Sequence, residues 1–299
     1  MKTIVLGPGE SRPIEGHPAR IKASSEDCDE RFYVLEAELG PGAGPQMHLH
    51  RQHVEAQYVV EGTLEVESGR DTIVAPAGSF VLAPAGSPHT FSNPGPGRAR
   101  IFGFGAPGGL DRFLKGMGEI FGRPGPPDLQ AFGKLLAEHD TAPVRDEIPD
   151  GPPTKVVAPG EGETLTIAGN TIVFKAEAAD TGGAFGLVEY TASPGFAGPP
   201  LHVHRETADM FFVLDGELAL QLDGETVAAP AGAFALAAPG TPHTFSNPGE
   251  SPARFLSLTS PGGFEQYFRD LLRALGRGPL DPGEIGKLTA RYDFELLSR

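Results

Sequence analysis

The feature that most constrains this 299-residue chain is an internal repeat that spans nearly its whole length. A shift of the sequence along itself by 154 positions aligns residues of the same type in both halves. The aligned pairs include His48 with His202, Gly62 with Gly216, His89 with His243 and Asn93 with Asn247. A shift of 153 aligns Lys22 with Lys175, so the single-residue slips lie in loops. A repeat this long indicates two duplicated domains, which we predict at 1–150 and 151–299, joined near the Pro-rich stretch DEIPDGPPTK.

Each half has the period-two pattern of short antiparallel strands, followed by a helical pattern. The stretches TLEVES and ELALQLDGETVAA alternate apolar with polar or small residues, and Asp223-Gly224 is a strong hairpin signal. After each PGG triplet the apolar spacing becomes helical. The residues at this spacing are Leu110, Phe113, Leu114 and Met117, then Phe264, Tyr267, Phe268, Leu271, Leu272 and Leu275. We predict an all-β fold in which each domain ends in a short helical segment packed on that domain.

The composition argues against several classes of partner. Gly and Pro, 41 and 30 residues, punctuate short apolar runs as turns would. A formal charge of −15 without a basic cluster disfavours nucleic acid and anionic membranes. Cys28 is the only cysteine, which excludes an internal disulfide and a thiolate cluster. No signal-peptide or membrane-spanning pattern is evident, so we expect a cytoplasmic protein that acts on a small molecule.

The histidines suggest a metal site in each half. His48 and His50 are two residues apart, and residues at that spacing on a strand face the same side. Glu55 would lie alongside on the next strand, and His89 would arrive from a later hairpin. Three imidazoles and one carboxylate suit a divalent transition metal, Fe, Mn, Co, Ni, Cu or Zn. We interpret His53, which has no histidine counterpart, as a residue at the rim of this site.

The second half repeats this group with one change. His202, His204 and His243 match His48, His50 and His89, but the shorter Asp209 stands in the place of Glu55. Glu206, nearby, is interpreted as a solvated loop charge. We therefore predict one or two metal ions per chain.

These residues resemble the signatures of the cupins. The first motif, a Gly, five residues, His-any-His, four residues, Glu, six residues and Gly, is met in full. Its residues are Gly42, His48, His50, Glu55 and Gly62, and those of the second motif are Gly78, Pro84, Gly86, His89 and Asn93. The second half departs from the pattern at Gly195, Asp209 and Ala238. The resemblance identifies the chain as a bicupin and implies two jelly-roll β-barrels with the metal inside.

It also implies the metal ligands, which are the two groups named above: His48, His50, Glu55 and His89, and His202, His204, Asp209 and His243. Phe80, Phe91, Phe234 and Phe245 would pack in the core or line pockets.

The stretches SPGGFEQYFRDL and LTARYDFEL are similar to the tails of bacterial quercetin dioxygenases. That similarity implies a metal-dependent dioxygenase for flavonols or related enolisable, hydroxylated aromatics. In it Glu55, and by correspondence Asp209, would act as the base for the substrate hydroxyl.

Two alternatives remain open. One is a non-redox metal enzyme, such as a polyketide cyclase, an isomerase or a decarboxylase. The other is a cupin that only binds a small ligand. Bicupins often assemble further, so we also consider a homodimer.

Overall fold

β-Strands dominate both halves of the chain, as the period-two pattern predicts. The computed structural model describes residues 1–145 and 147–297. Residues 1–160 contain β1 (Ile4–Leu6), β2 (Arg12–Pro13), β3 (Ala19–Ala23), β4 (Tyr33–Leu39), β5 (His48–Leu49), β6 (Val54–Glu61), β7 (Thr63–Ser68), β8 (Asp71–Pro76), β9 (Phe80–Ala83), β10 (His89–Ser92), β11 (Ala99–Ala106), α1 (Leu110–Phe121), α2 (Leu129–Glu138), β12 (Ala142–Pro143) and β13 (Lys155–Val157). Residues 161–297 contain β14 (Thr164–Ile167), β15 (Asn170–Ala176), β16 (Gly186–Ala192), β17 (His202–Val203), β18 (Ala208–Asp215), β19 (Glu217–Leu222), β20 (Glu225–Pro230), β21 (Phe234–Ala237), β22 (His243–Ser246), β23 (Ala253–Ser260), α3 (Glu265–Leu275), α4 (Pro282–Thr289) and β24 (Glu295–Leu296).

The chain divides into two compact units. The N-terminal unit is Ser11–Gly160, and the C-terminal unit combines residues 1–10 with the chain from Glu161 onward. This division differs from the ranges 1–150 and 151–299. β1 forms the edge of the C-terminal unit by pairing with β21, and β13 forms the edge of the N-terminal unit by pairing with β9. Such edge pairings depend on contacts far along the chain, so they have no local signal in the sequence.

Each unit contains a seven-stranded and a five-stranded antiparallel sheet. In the N-terminal unit the orders are β13-β9-β6-β11-β4-β3-β2 and β12-β5-β10-β7-β8. In the C-terminal unit they are β1-β21-β18-β23-β16-β15-β14 and β20-β19-β22-β17-β24. In each unit, apolar side chains from both sheets pack into a buried cluster, and a smaller cluster in the C-terminal unit holds Tyr267, Leu288 and Phe294. This is the jelly-roll arrangement, although the two sheets of each unit are not hydrogen-bonded into a closed barrel.

The predicted helical segments follow each β unit, with more structure than the spacing indicated. Each segment holds two helices, α1 and α2 or α3 and α4, instead of one. A two-residue strand then returns to the five-stranded sheet, where β12 pairs with β5 and β24 pairs with β17. Strands of two residues are too short to show a period. Over the described residues, no helix is long and apolar enough to cross a membrane.

Candidate metal centre

The N-terminal unit brings His48, His50, Glu55 and His89 together. Their potential ligand atoms all lie within 4.8 Å of one another. His48 and His89 are paired across β5 and β10 of one sheet, while Glu55 reaches in from β6 of the other. Oε2 of Glu55 lies 3.1 Å from Nε2 of His50, 3.5 Å from Nε2 of His89 and 3.8 Å from Nε2 of His48. One carboxylate oxygen therefore faces three ring nitrogens, which is a group that could hold a metal ion.

The three imidazoles are oriented by backbone carbonyls. Nδ1 of His48 donates to the carbonyl oxygen of Gln46 at 2.8 Å, and Nδ1 of His89 donates to Ser87 at 2.9 Å. Nδ1 of His50 donates to Asp140 in the same way, also at 2.9 Å. A neutral imidazole that donates from Nδ1 has a free lone pair on Nε2, which is the form that ligates metals. Nε2 of His89 is buried without a hydrogen-bond partner, so the residues present fit a metal ion.

The carboxylate of Glu55 is held in its ionised form. Burial alone would raise the pKa of Glu55, but the nearby imidazoles of His48, His50 and His89 outweigh burial and hold that pKa well below its usual range. Nε2 of Gln57 donates to Oε1 of Glu55 at 2.5 Å, which fixes the oxygen that faces away from His50. Burial would lower the pKa of His50, but the hydrogen bond with Glu55 and its charge raise that pKa, so a divalent cation bound here would displace a proton that the two residues share.

An apolar cavity of about 440 Å³ opens onto this group in the N-terminal unit. Its walls include Leu35, Ala37, Phe91, Ile101 and Leu114, together with Tyr33, Gln57, His48, His50 and Glu55. No Lys or Arg is among the described residues that line it. The space therefore suits an uncharged, largely apolar molecule that meets polar groups only at the metal end.

The C-terminal unit brings His202, His204, Asp209 and His243 together, again within 4.8 Å. Oδ2 of Asp209 lies 3.2 Å from Nε2 of His243 and 3.4 Å from Nε2 of His204. The shorter side chain of Asp209 therefore still reaches the histidines. Nε2 of His204 and Oδ1 of Asp209 are buried without hydrogen-bond partners, so this group also fits a metal ion.

In the second group too, burial and neighbouring charges shift the pKa values of the carboxylate and of a histidine. Burial alone would raise the pKa of Asp209, yet the charge of His204 and the hydrogen bond with His243 hold it far below its usual range. Burial, helped by the charge of His243, lowers the pKa of His202 to about 3. A neutral His202 is the form that can ligate a metal.

Two aspartates that the sequence reasoning missed hold the ligand loops in place. The carboxylate of Asp140 accepts from the backbone N–H groups of Arg51 and Gln52 at 3.0 and 2.8 Å. In the C-terminal unit the carboxylate of Asp293 accepts from the backbone N–H groups of Arg205, Glu206 and Thr207. The carbonyl oxygen of Asp293 accepts from Nδ1 of His204. The signal was present, because Asp140 and Asp293 align at a shift of 153 and Asp293 lies within LTARYDFEL.

The other predicted residues fall at several depths. His53 is buried rather than at the rim, with Nε2 3.2 Å from the hydroxyl of Tyr33. Glu206 is exposed, outside the ligand group. Phe80 and Phe234 are core residues, whereas Phe91 also lines the cavity.

Comparison with known proteins gives matches over most of the chain. Residues 32–104 and 188–259 each match the family model described as a cupin domain. The chain is 22% identical over 287 residues to the quercetin 2,3-dioxygenase of Bacillus subtilis strain 168, which covers 89% of this chain and 84% of that protein. Among solved structures, the oxalate decarboxylase of Lactobacillus farciminis has a TM-score of 0.59 at 16% identity and covers 96% of both chains. Protein Ylba of E. coli has a TM-score of 0.58 at 14% identity, with 86% of this chain and 89% of that chain covered. At these identities the structural likeness shows the fold alone.

Proposed function

Since this chain belongs to the cupin superfamily, with one cupin domain in each unit, we propose that it is a metal-dependent dioxygenase. Its substrate would be a flavonol or a similar enolisable, hydroxylated aromatic compound, cleaved with O2. The observation that carries the proposal is the apolar cavity of about 440 Å³ that ends at Glu55, His48 and His50 of the metal group. The likeness to a quercetin 2,3-dioxygenase over 89% of the chain supports the same reaction class.

The metal would be held by His48, His50, His89 and Glu55 in the N-terminal unit. A bound divalent transition metal supplies Lewis-acid polarisation of a substrate oxygen and, where it is redox-active, a route for electron transfer to O2. Nδ1 of each histidine is already hydrogen-bonded to a backbone carbonyl, so the rings need not reorient to bind it.

Glu55 would remove the proton from the substrate hydroxyl. Its carboxylate is ionised, because its pKa lies well below the usual range, and it borders the cavity. The hydrogen bond from Gln57 keeps the carboxylate in one orientation. Loss of the hydroxyl proton to Glu55 leaves an electron-rich enolate, which is the reductant that O2 requires.

The walls of the cavity contribute binding and the exclusion of water. An aromatic ring system of flavonol size would lie against Leu35, Ile101 and Leu114. The absence of Lys and Arg among the described lining residues favours such a substrate over a small dianion. This argues for the dioxygenase over a decarboxylase of dicarboxylates, although the fold would serve either.

Oxygen consumption by the metal-loaded protein tests the proposal. We expect O2 uptake with quercetin or a related flavonol, together with the loss of the flavonol absorption band. Glu55→Gln should lower kcat at least about 100-fold, as expected for removal of a general base. Glu61→Gln, at the exposed end of the same strand, is the matched control and should keep wild-type turnover.

Two results would replace the proposal with the alternatives. Turnover of an enol substrate without O2 would select a non-redox metal enzyme. Binding of flavonols without turnover under any metal would leave only a ligand-binding cupin.

A further inference from the structure

We infer that only the N-terminal unit admits an organic ligand, and that the metal group of the C-terminal unit is a closed structural centre. The inference rests on the metal binding proposed above, but not on the reaction. The repeat allows corresponding positions of the two units to be compared residue by residue.

Non-aromatic side chains that line the N-terminal cavity are replaced by aromatic ones in the C-terminal unit. The register of the paired strands and the bonds to Asn93 and Asn247 establish the correspondence. The pairs are Ala37 with Tyr190, Ala43 with Phe196, and Gln57 with Phe211. Each exchange adds a ring to the interior of the C-terminal unit.

These rings pack against one another rather than around a space. The ring centroid of Tyr190 lies 5.0 Å from that of Phe255, 5.5 Å from that of Phe245 and 6.3 Å from that of Phe196. Phe211 lies 5.6 Å from Phe245. Centroid separations of about 4.5–7 Å are those of aromatic rings in direct contact. The volume that is a cavity in the N-terminal unit is therefore occupied by side chains in the C-terminal unit.

Aromatic rings also cover the second metal group itself. Phe294, next to Asp293, lies 4.1 Å from the ring of His202, and Phe264 lies 5.1 Å from the ring of His204. The corresponding residues in the N-terminal unit are Thr141 and Leu110, both of which border the cavity.

One of the three histidine pairs reflects this difference in cover. His202 is buried, whereas its counterpart His48 is partly exposed.

One cavity position changes in the opposite direction. Tyr33 corresponds to Gly186, which alone would open space in the C-terminal unit. That space is filled by the buried Glu265, whose Oε2 would lie 2.5 Å from a Cβ placed on Gly186. The C-terminal group is thus enclosed here as well.

A metal ion that no substrate can reach would stabilise the fold instead of taking part in a reaction. Structural metal sites are closed by protein ligands, whereas catalytic sites keep an open position for substrate. His202, His204, His243 and Asp209 join β17, β18 and β22, which belong to both sheets of the unit. A metal ion here would tie the two sheets together.

Cobalt and 4-nitrocatechol, a chromogenic aromatic chelator, test the inference without turnover. Metal analysis and titration of the nitrocatechol band should give two Co²⁺ and one nitrocatechol per chain. Replacement of His202 and His204 by Ala should leave one Co²⁺ and one nitrocatechol. Replacement of His48 and His50 by Ala should leave one Co²⁺ and no nitrocatechol.

A single substitution tests the role of the rings. Thr141→Phe copies Phe294 into the N-terminal unit and should weaken nitrocatechol binding at least 10-fold while two Co²⁺ remain. Thr141→Ser is the matched control and should bind the probe as the wild type does.

Several outcomes would overturn the inference: two nitrocatechols per chain, none in the wild type, one Co²⁺ per chain, or probe binding unchanged by Thr141→Phe. If one probe binds as expected and flavonols consume no O2, the proposed dioxygenase activity fails and this inference stands.

Discussion

Nδ1 of His50 donates a 2.9 Å hydrogen bond to the backbone carbonyl oxygen of Asp140, a residue 90 positions later in the chain. The carboxylate of Asp140 meanwhile accepts from the backbone of Arg51 and Gln52. One residue from the helical tail therefore holds both a metal-ligand candidate and the loop that follows it. Asp140 adopts a φ of 49°, which Asp and Asn tolerate better than most residues.

Asp140→Ala should lower the metal affinity of the N-terminal centre about 10–100-fold, the usual effect of losing a residue that orients a ligand. The substitution removes two hydrogen bonds to the loop and disfavours the left-handed backbone that presents the carbonyl to His50. Competition titrations with a chromogenic chelator measure the change. Asp140→Asn, which keeps one acceptor oxygen and tolerates this φ, should have a smaller effect. Equal losses for the two variants would contradict this account.

Two glycines should respond to alanine in opposite directions. A Cβ on Gly105 would lie 2.5 Å from the hydroxyl of Tyr33 and 2.6 Å from Nε2 of His53, so Gly105→Ala should destabilise the fold by about 1–3 kcal/mol. Gly133 lies in α2 with nothing within 4 Å of its Cβ, so Gly133→Ala should stabilise by about 0.5–1 kcal/mol. Urea unfolding of both variants checks the signs. If Gly105→Ala leaves the free energy of unfolding unchanged, the side chains of Tyr33 and His53 can move to accommodate the added methyl group.

Removal of metal should lower the thermal stability of the protein. A ligand that binds only the folded state at 100 times its Kd stabilises by about 2.7 kcal/mol, which corresponds to a Tm change of roughly 5–10 °C for a unit of this size. Calorimetry of the cobalt-loaded protein with and without EDTA measures the shift. The variant in which Ala replaces His202 and His204 should show a smaller decrease in Tm when EDTA is added. An unchanged Tm with EDTA would argue against metal binding in the folded state.

Tyr267 should make stability fall at alkaline pH. Burial raises the pKa of Tyr267 to about 12, against 10 in the unfolded chain. Between pH 10 and 12 the unfolded chain therefore loses the phenol proton before the folded chain does, so stability present below pH 10 is lost as the pH rises. The loss attributable to Tyr267 should reach about 2–3 kcal/mol.

Comparison with Tyr267→Phe isolates this contribution, because phenylalanine keeps the packing against Phe264 and Phe294 but has no proton to lose. Urea unfolding at pH 9 and pH 11.5 should show a smaller alkaline loss in the variant. The same pH dependence in both proteins would assign the effect to other groups.

The all-β class, the duplication and the two metal-group compositions could be predicted from the sequence because their signals are local. Strand parity places His48 and His50 on one side, and the repeat distinguishes them from His53. The same locality explains the errors. The sequence predicts His53 at the rim, yet His53 is buried beside Tyr33, which lies twenty residues earlier in β4.

The sequence by itself determined which residues recur at matched positions and hence the duplication, while its period-two pattern and motifs indicated the all-β class and the composition of the two groups. Only the tertiary structure decided that β1 joins the C-terminal unit, that Asp140 and Asp293 bond to the ligand loops, and that one interior is open while the other is filled. The reason is physical: periodicity is set by neighbouring residues, whereas a cavity is the volume left by side chains from many strands. The exchange of Ala37 for Tyr190 is visible in the sequence, but its consequence depends on the rings of Phe245 and Phe255 that it meets.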